Sequence, residues 1–358
     1  MLNFLRRLFG GQPNSNEVKK THVQPPSTVE PKASSQPPKD LRLSQPKQIS
    51  IGSTTQEALK STNGLFQLTN RIENVVGLEE DGPGSELALA KDESLLIALT
   101  ELGTIVVFDR ETNLELARTR IDGGMVVANN GRHLVSCCES KEGGVIRVHR
   151  LPDLSISKEI PISKFNYNLA AIDQDLIIAA WDGIQIVNLL TCRVEHSIGD
   201  PDENPWTVEA SVFQPRLYAG STKLMVWDIE STPQPVEFIN HQGFVYTISE
   251  SESFIATGTS QGELRVFGRE DLGLRKQISI QENDSPVAVW NVKVLEAQGE
   301  LIVHAGEQLL QVLDLETLEV KDSLFGHKFA EAMTVSSNGQ NIITGCWQHT
   351  IETWSRID

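Results

Sequence analysis

The chain of 358 residues has only four cysteines, Cys137, Cys138, Cys192 and Cys346. None forms a C-x-x-C pair, and adjacent cysteines seldom bridge each other. Neither a zinc site nor a disulfide framework is therefore expected, and reduced thiols in an intracellular, cytoplasmic setting are. No apolar run approaches the ~18 residues of a membrane span. The start, "MLNFLRRLFGG", is too short and too interrupted by Arg6 and Arg7 to serve as a secretory signal. Catalytic signatures are missing too: there is no His pair at i, i+4, no G-x-S-x-G elbow and no Walker A loop. The acidic run Glu79-Glu80-Asp81 lacks the alternating Asp/Asn pattern of a calcium loop and reads as a solvated connector. No catalytic residue, metal ligand or cofactor is assigned, and the chain reads as a non-enzyme. Nothing in 65–358 sustains a helical period over three turns, which excludes a helical domain.

Basic charge is also scarce, and it is unevenly spread. Of 31 Lys/Arg and 48 Asp/Glu, residues 1–64 hold nine and four, leaving 22 and 44 in the remainder, a net of −22. A body so acidic excludes nucleic acid as a partner, since neutralising phosphates needs a basic surface. The first 64 residues contain Pro13, Pro25, Pro26, Pro31, Pro37, Pro38 and Pro46 among many Ser, Gln and Lys. Such a stretch cannot bury enough apolar surface to offset its ordering entropy, so 11–64 reads as a disordered linker. Residues 1–10 differ from it. Leu2, Leu5 and Phe9 share one helical face, Phe4 and Leu8 flank it, and Arg6 and Arg7 point elsewhere, as in a short interfacial helix. Three readings stay open for this tip: an anchor on an anionic membrane surface, a helix docking on a protein partner, or a fraying end or mitochondrial presequence.

What the chain has in quantity is a repeat. "GSTKLMVWDI" (220–229) recurs in blurred form as "GTIVVFDRET" (103–112), "GGVIRVHRLPD" (143–153), "DGIQIVNLLT" (182–191), "QGELRVFGRED" (261–271), "GEQLLQVLDLET" (306–317) and "HTIETWSRID" (349–358). The marker residues are Phe108, His149, Val187, Trp227, Phe267, Leu313 and Trp354, separated by 41, 38, 40, 40, 46 and 41 positions. Each marker segment follows a short apolar run such as "DLIIAAW" or "NIITGCW", which itself follows another alternating segment such as "FVYTISES". Short β-branched runs bounded by Gly, Asn, Asp and Ser read as strands. Seven four-stranded antiparallel units of about forty residues predict an all-β fold, a seven-bladed β-propeller over 65–358. The last unit stops after its third strand. "LFQLTNRI" (65–72) is expected to supply the fourth and close the ring, which removes the free edge.

The segments "GHKFAEAMTVSSNGQNIITGCWQHTIETWS" (326–355) and "NHQGFVYTISESESFIATGTSQGELRVF" (240–267) resemble WD40 repeats. They carry His327 and His241 in the His position, an Asn338-Gly339 turn and Trp354 closing the third strand. The resemblance covers 65–358. In that family a Trp, a Ser/Thr, a His and a turn Asp knit each blade by buried hydrogen bonds. Six residues before the marker, where the Asp is expected, stand Gln348, Gln261, Ser221 and Glu307, and only Asp182 is similar. These repeats are degenerate, and apolar strand packing must carry the fold.

The resemblance implies a non-catalytic protein-interaction scaffold; a propeller enzyme or small-ligand binder using the central channel is the alternative. Trp181 and Trp347, each just before the turn-Asp position, are candidate partner anchors that face the binding side in the family, with packing within their own blades as the competing reading. Tyr167 and Trp206, ahead of the third and fourth units, are further candidates. The expected partners are other proteins, together with an anionic membrane surface if the tip inserts.

Overall fold

The computed structural model describes residues 60–73, 86–100, 103–121, 125–127, 133–140, 143–162, 168–171, 176–181, 183–198, 205–228, 237–282, 285–306, 309–325, 330–346 and 350–357. The tip residues Leu2, Phe4, Leu5, Arg6, Arg7, Leu8 and Phe9, and nearly all of the expected linker, lie outside the described residues.

The described residues form a WD40-like β-propeller. Third strands such as Thr104–Asp109 and Lys223–Asp228 are buried on both faces, because each sheet is sandwiched between neighbours. Outer strands such as Leu274–Ser279 and Arg193–Ile198 are exposed along most of their length. The seven marker residues are all buried, from 0% to 2% exposed. The Trp227-Asp228 pair is thus one spelling of a shared rule in which the marker fills the inter-sheet core.

The residue after the marker has a different job. Asp109 and Asp314 accept hydrogen bonds from the backbone N–H and hydroxyl of Thr112 and Thr317, closing the turn to the outer strand. The same turn carries a left-handed residue in five units: Asn113, Leu154, Cys192, Leu272 and Leu318, with φ between 53° and 60°. Four of these are not the Gly or Asn that such a conformation favours, so the surrounding sheet imposes it.

The inner strands are Glu86–Leu89, Met125–Val127, Asn168–Ala171, Thr207–Ala210, Val245–Glu250, Val289–Leu295 and Ala330–Val335. Each contacts the next in that order, and the last contacts the first. One expectation is corrected. Four-stranded sheets number six among the described residues, not seven, because the sixth unit is a five-stranded sheet. Its extra strand, Lys60–Ser61, pairs antiparallel with the outer strand Val320–Phe325. This strand falls within the stretch 11–64 that composition assigns to linker.

The last unit is completed by Phe66–Ile72, which pairs antiparallel with Thr350–Arg356 from Phe66 opposite Arg356 to Ile72 opposite Ile351. Its buried ends enter two inter-sheet clusters. Phe66 packs with Ile302, Leu310 and Trp354 toward the sixth unit, and Ile72 packs with Ala98, Phe108 and Ile351 toward the first.

Asp322 moors the approach to this strand. Buried, it accepts from the Ser61 and Thr62 hydroxyls and from the backbone N–H groups of Asn63 and Leu65 at 2.9 and 3.0 Å. Burial raises the Asp322 pKa, but these donors outweigh it and hold the carboxyl below its ordinary value. Beside it, buried Glu300 pairs with Lys321 and Arg356, and the Arg356 guanidinium lies 4.7 Å from the Phe66 ring centre.

Candidate protein-binding face

Three adjacent inner strands bring four aromatic rings together at one edge of the ring. Trp206 immediately precedes Thr207–Ala210, whose first residue Thr207 pairs with Gly220 at the end of the second strand. In the next two units the register shifts between Val245 and Thr247 and between Val289 and Asn291, leaving Tyr246 and Trp290 as the extra residues. A bulge re-aims the side chain it carries, and here it turns both rings out of the regular alternation. Small residues let these strands approach. A Cβ on Gly220 would sit 2.7 Å from the Val245 side chain, and one on Gly258 2.4 Å from Val289.

The result is a continuous aromatic arc. Phe244 and Trp206 have ring centroids 5.6 Å apart, Trp206 and Tyr246 6.0 Å, and Tyr246 and Trp290 5.1 Å with planes 8° from parallel. Trp206, Tyr246 and Trp290 are half-buried, while Phe244 is 38% exposed. Several polar groups of the arc are already engaged. Trp290 Nε1 donates to the Gly306 carbonyl at 2.9 Å, Trp206 N–H donates to the Gly220 carbonyl, and Phe244 N–H donates to Ser260 Oγ at 2.9 Å. Burial pushes the Tyr246 phenol up, against a hydrogen bond from Ser260. What the arc offers outward is ring surface.

Of the candidates read from sequence, Trp206 stands in this arc. Tyr167 and Trp347 lie outside the described residues, and Trp181 is described only as the last backbone position of strand Leu176–Trp181. Tyr246, Trp290 and Phe244 were not singled out. A signal existed: Tyr167, Trp206, Tyr246 and Trp290 are spaced by 39, 40 and 44 residues, close to the period of the repeat.

Several buried titratable groups of the propeller have structural partners. His241 Nδ1 lies 3.0 Å from buried Glu263, which also accepts from Gln242 N–H, Arg265 and Gln277. Glu263 therefore meets the histidine as a turn Asp does in WD40 blades, from two residues beyond Gln261. His327 lies outside the described residues. His149 Nε2 lies 2.8 Å from Ser136 Oγ and Nδ1 lies 3.1 Å from the Leu154 carbonyl. Burial lowers the His149 pKa, so the ring is neutral, with Nδ1–H donating to Leu154. Ser136 and His149 are 0% and 1% exposed, which closes this pair to any substrate. On inner strand Thr207–Ala210, desolvation pushes Glu209 up to about 7, with Lys293 pulling it down and Glu250 pushing it further. Glu250 itself accepts from Tyr218 OH at 2.9 Å and Ser211 Oγ at 2.7 Å. Among the described residues no group of three or more His, Cys, Asp or Glu is arranged to hold a metal ion.

No family model matches the chain, and no curated protein does. Its backbone is similar to solved structures. One, titled "Structure of U3-55K", has a TM-score of 0.69 at 13% identity, covering 81% of this chain and 98% of that one. Another, titled "Crystal structure of RRP9 WD40 repeats", has a TM-score of 0.69 at 12% identity, covering 82% and 97%. At such identities the likeness concerns the fold alone.

Proposed function

We propose that this propeller is a non-catalytic interaction module that docks protein partners on the face bearing Phe244, Trp206, Tyr246 and Trp290. One observation carries the reading: four rings from neighbouring units form an arc that stays partly open. Core aromatics of this chain behave otherwise, since Trp227, Trp354, Phe108 and Phe267 are all at most 2% exposed. Large aromatics left half-open on a rigid scaffold are the usual anchors of a protein interface, because they desolvate much area while losing few rotamers.

Cross-linking and affinity capture with full-length protein, compared with a Trp206→Ala, Phe244→Ala double variant, tests the reading. Specific partners should be lost from the variant while its melting profile stays cooperative. Retention of every partner by a folded variant would remove the arc from the interface.

A further inference from the structure

We infer that the aromatic arc selects a basic, extended peptide segment, with arginine or lysine side chains laid against its rings at alternate residues. This rests on the arc being the docking face. Three features converge on that chemistry.

The first is what the rings offer. The Trp290 indole N–H and the backbone N–H groups of Trp206 and Phe244 are spent within the fold. The arc therefore recognises its ligand mainly through ring faces and edges. Such surfaces attract cations and apolar groups, and a guanidinium satisfies both by stacking flat.

The second is charge. The chain after residue 64 is −22, so an approaching cation gains from the long-range field before it reaches the rings. By register, Glu331 takes in the last unit the bulged position that Tyr246 and Trp290 take in theirs, and Glu86 opens the inner strand of the first unit. The same field opposes phosphates, which argues against nucleotide bases as the stacking partner.

The third is spacing. Successive ring centroids lie 5.6, 6.0 and 5.1 Å apart. Alternate side chains of an extended chain repeat every ~6.5 Å on one side, so residues i, i+2 and i+4 match successive rings.

Calorimetric titration of full-length protein with three synthetic peptides of equal length decides the matter: alternating Arg-Thr, Gln-Thr and Glu-Thr. The Arg-Thr peptide is expected to bind at least about tenfold more tightly than Gln-Thr, and Glu-Thr not at all, with added salt weakening the first. Trp206→Ala or Phe244→Ala, each checked for an unchanged melt, should weaken Arg-Thr binding about tenfold. If Gln-Thr binds as well as Arg-Thr and both are lost in the ring variants, the arc is a docking face but the preference for cations is wrong. If Arg-Thr binds wild type and ring variants equally, it sits elsewhere on the acidic surface and this inference falls, while partner capture decides the docking face. Absence of binding by all three peptides also overturns the inference.

Discussion

The seam where the ring closes and the aromatic arc use polar and aromatic groups in opposite ways. At the seam, carboxylates are buried and saturated: Asp322 accepts from Ser61, Thr62, Asn63 and Leu65, and Glu300 is paired with both Lys321 and Arg356. The aromatics there, Phe66 and Trp354, are 1% and 0% exposed. At the arc several polar groups are engaged within the fold, but the rings are left half-open. A buried, fully satisfied group is explained by stability alone, because leaving it unpaired would be expensive. A half-open ring adds little to stability and implies another surface.

Breaking the seam should have the largest effect. Removing residues 1–74 deletes Phe66–Ile72, exposes the edge of Thr350–Arg356 and empties two inter-sheet clusters. Losing buried Phe66 costs about 3–5 kcal/mol and losing Ile72 about 2–5 kcal/mol, which together rival the whole stability of a typical domain, about 5–15 kcal/mol. Removal of 1–59 should leave thermal melting unchanged, and removal of 1–64 should fall between, since it takes away donors to Asp322. Equal melting of the 1–59 and 1–74 truncations would show that the strand does not hold the ring.

Asp322→Ala comes next. It leaves part-buried donors on Ser61, Thr62, Asn63 and Leu65 without their acceptor and should lower the denaturation midpoint by an amount equivalent to about 1–3 kcal/mol. Since the folded pKa of Asp322 lies below its unfolded value, its contribution is present above that unfolded value and is lost as pH falls through the folded one. Asp322→Asn should therefore flatten the acid limb of the stability curve. An unchanged limb would mean that the carboxylate is not the latch.

Glu209 shifts in the opposite direction. With its pKa raised to about 7 in the fold, it binds more protons folded than unfolded, so wild-type stability should fall as pH rises from about 4.5 to 7 and level off above. Glu209→Gln should remove that slope and be the more stable protein at pH 8, by about 1–3 kcal/mol. Chemical denaturation at pH 5 and pH 8 measures both.

The smallest effect is expected at the arc. Phe244→Ala should change unfolding free energy by less than about 1 kcal/mol, because the ring is already partly in water. A loss like that of a core phenylalanine would show the arc to be packing, and would collapse the contrast with the seam.

Much of this fold was legible because the repeat keeps a nearly constant length. The marker residues recur at steps of 38 to 46, and all are buried. The arc was half legible. Trp206 stood out as a lone aromatic ahead of its unit, whereas Tyr246 and Trp290 looked like ordinary members of alternating strands. Only the bulges turn them toward the same edge, and a bulge leaves no signature in the residue alternation. Six residues before the markers, where the WD40 pattern places its turn Asp, no Asp stands. In the fifth unit Glu263 meets His241 from further along the chain, and its longer side chain makes the reach possible.

The sequence by itself determined the unit: four short strands, the second largely apolar and the third ending near a marker residue, bounded by turn residues and repeated at about forty positions. Local alternation and turn chemistry set that much, since they act between residues a few positions apart. Tertiary structure decided how the ends meet and what stays open. The hold of Asp322 on Ser61–Leu65 joins positions more than 250 apart, and the arc joins rings from three different units. Such contacts exist only once the strands curve into a ring, where bulges and close glycine approaches choose which side chains are covered and which remain available to a partner.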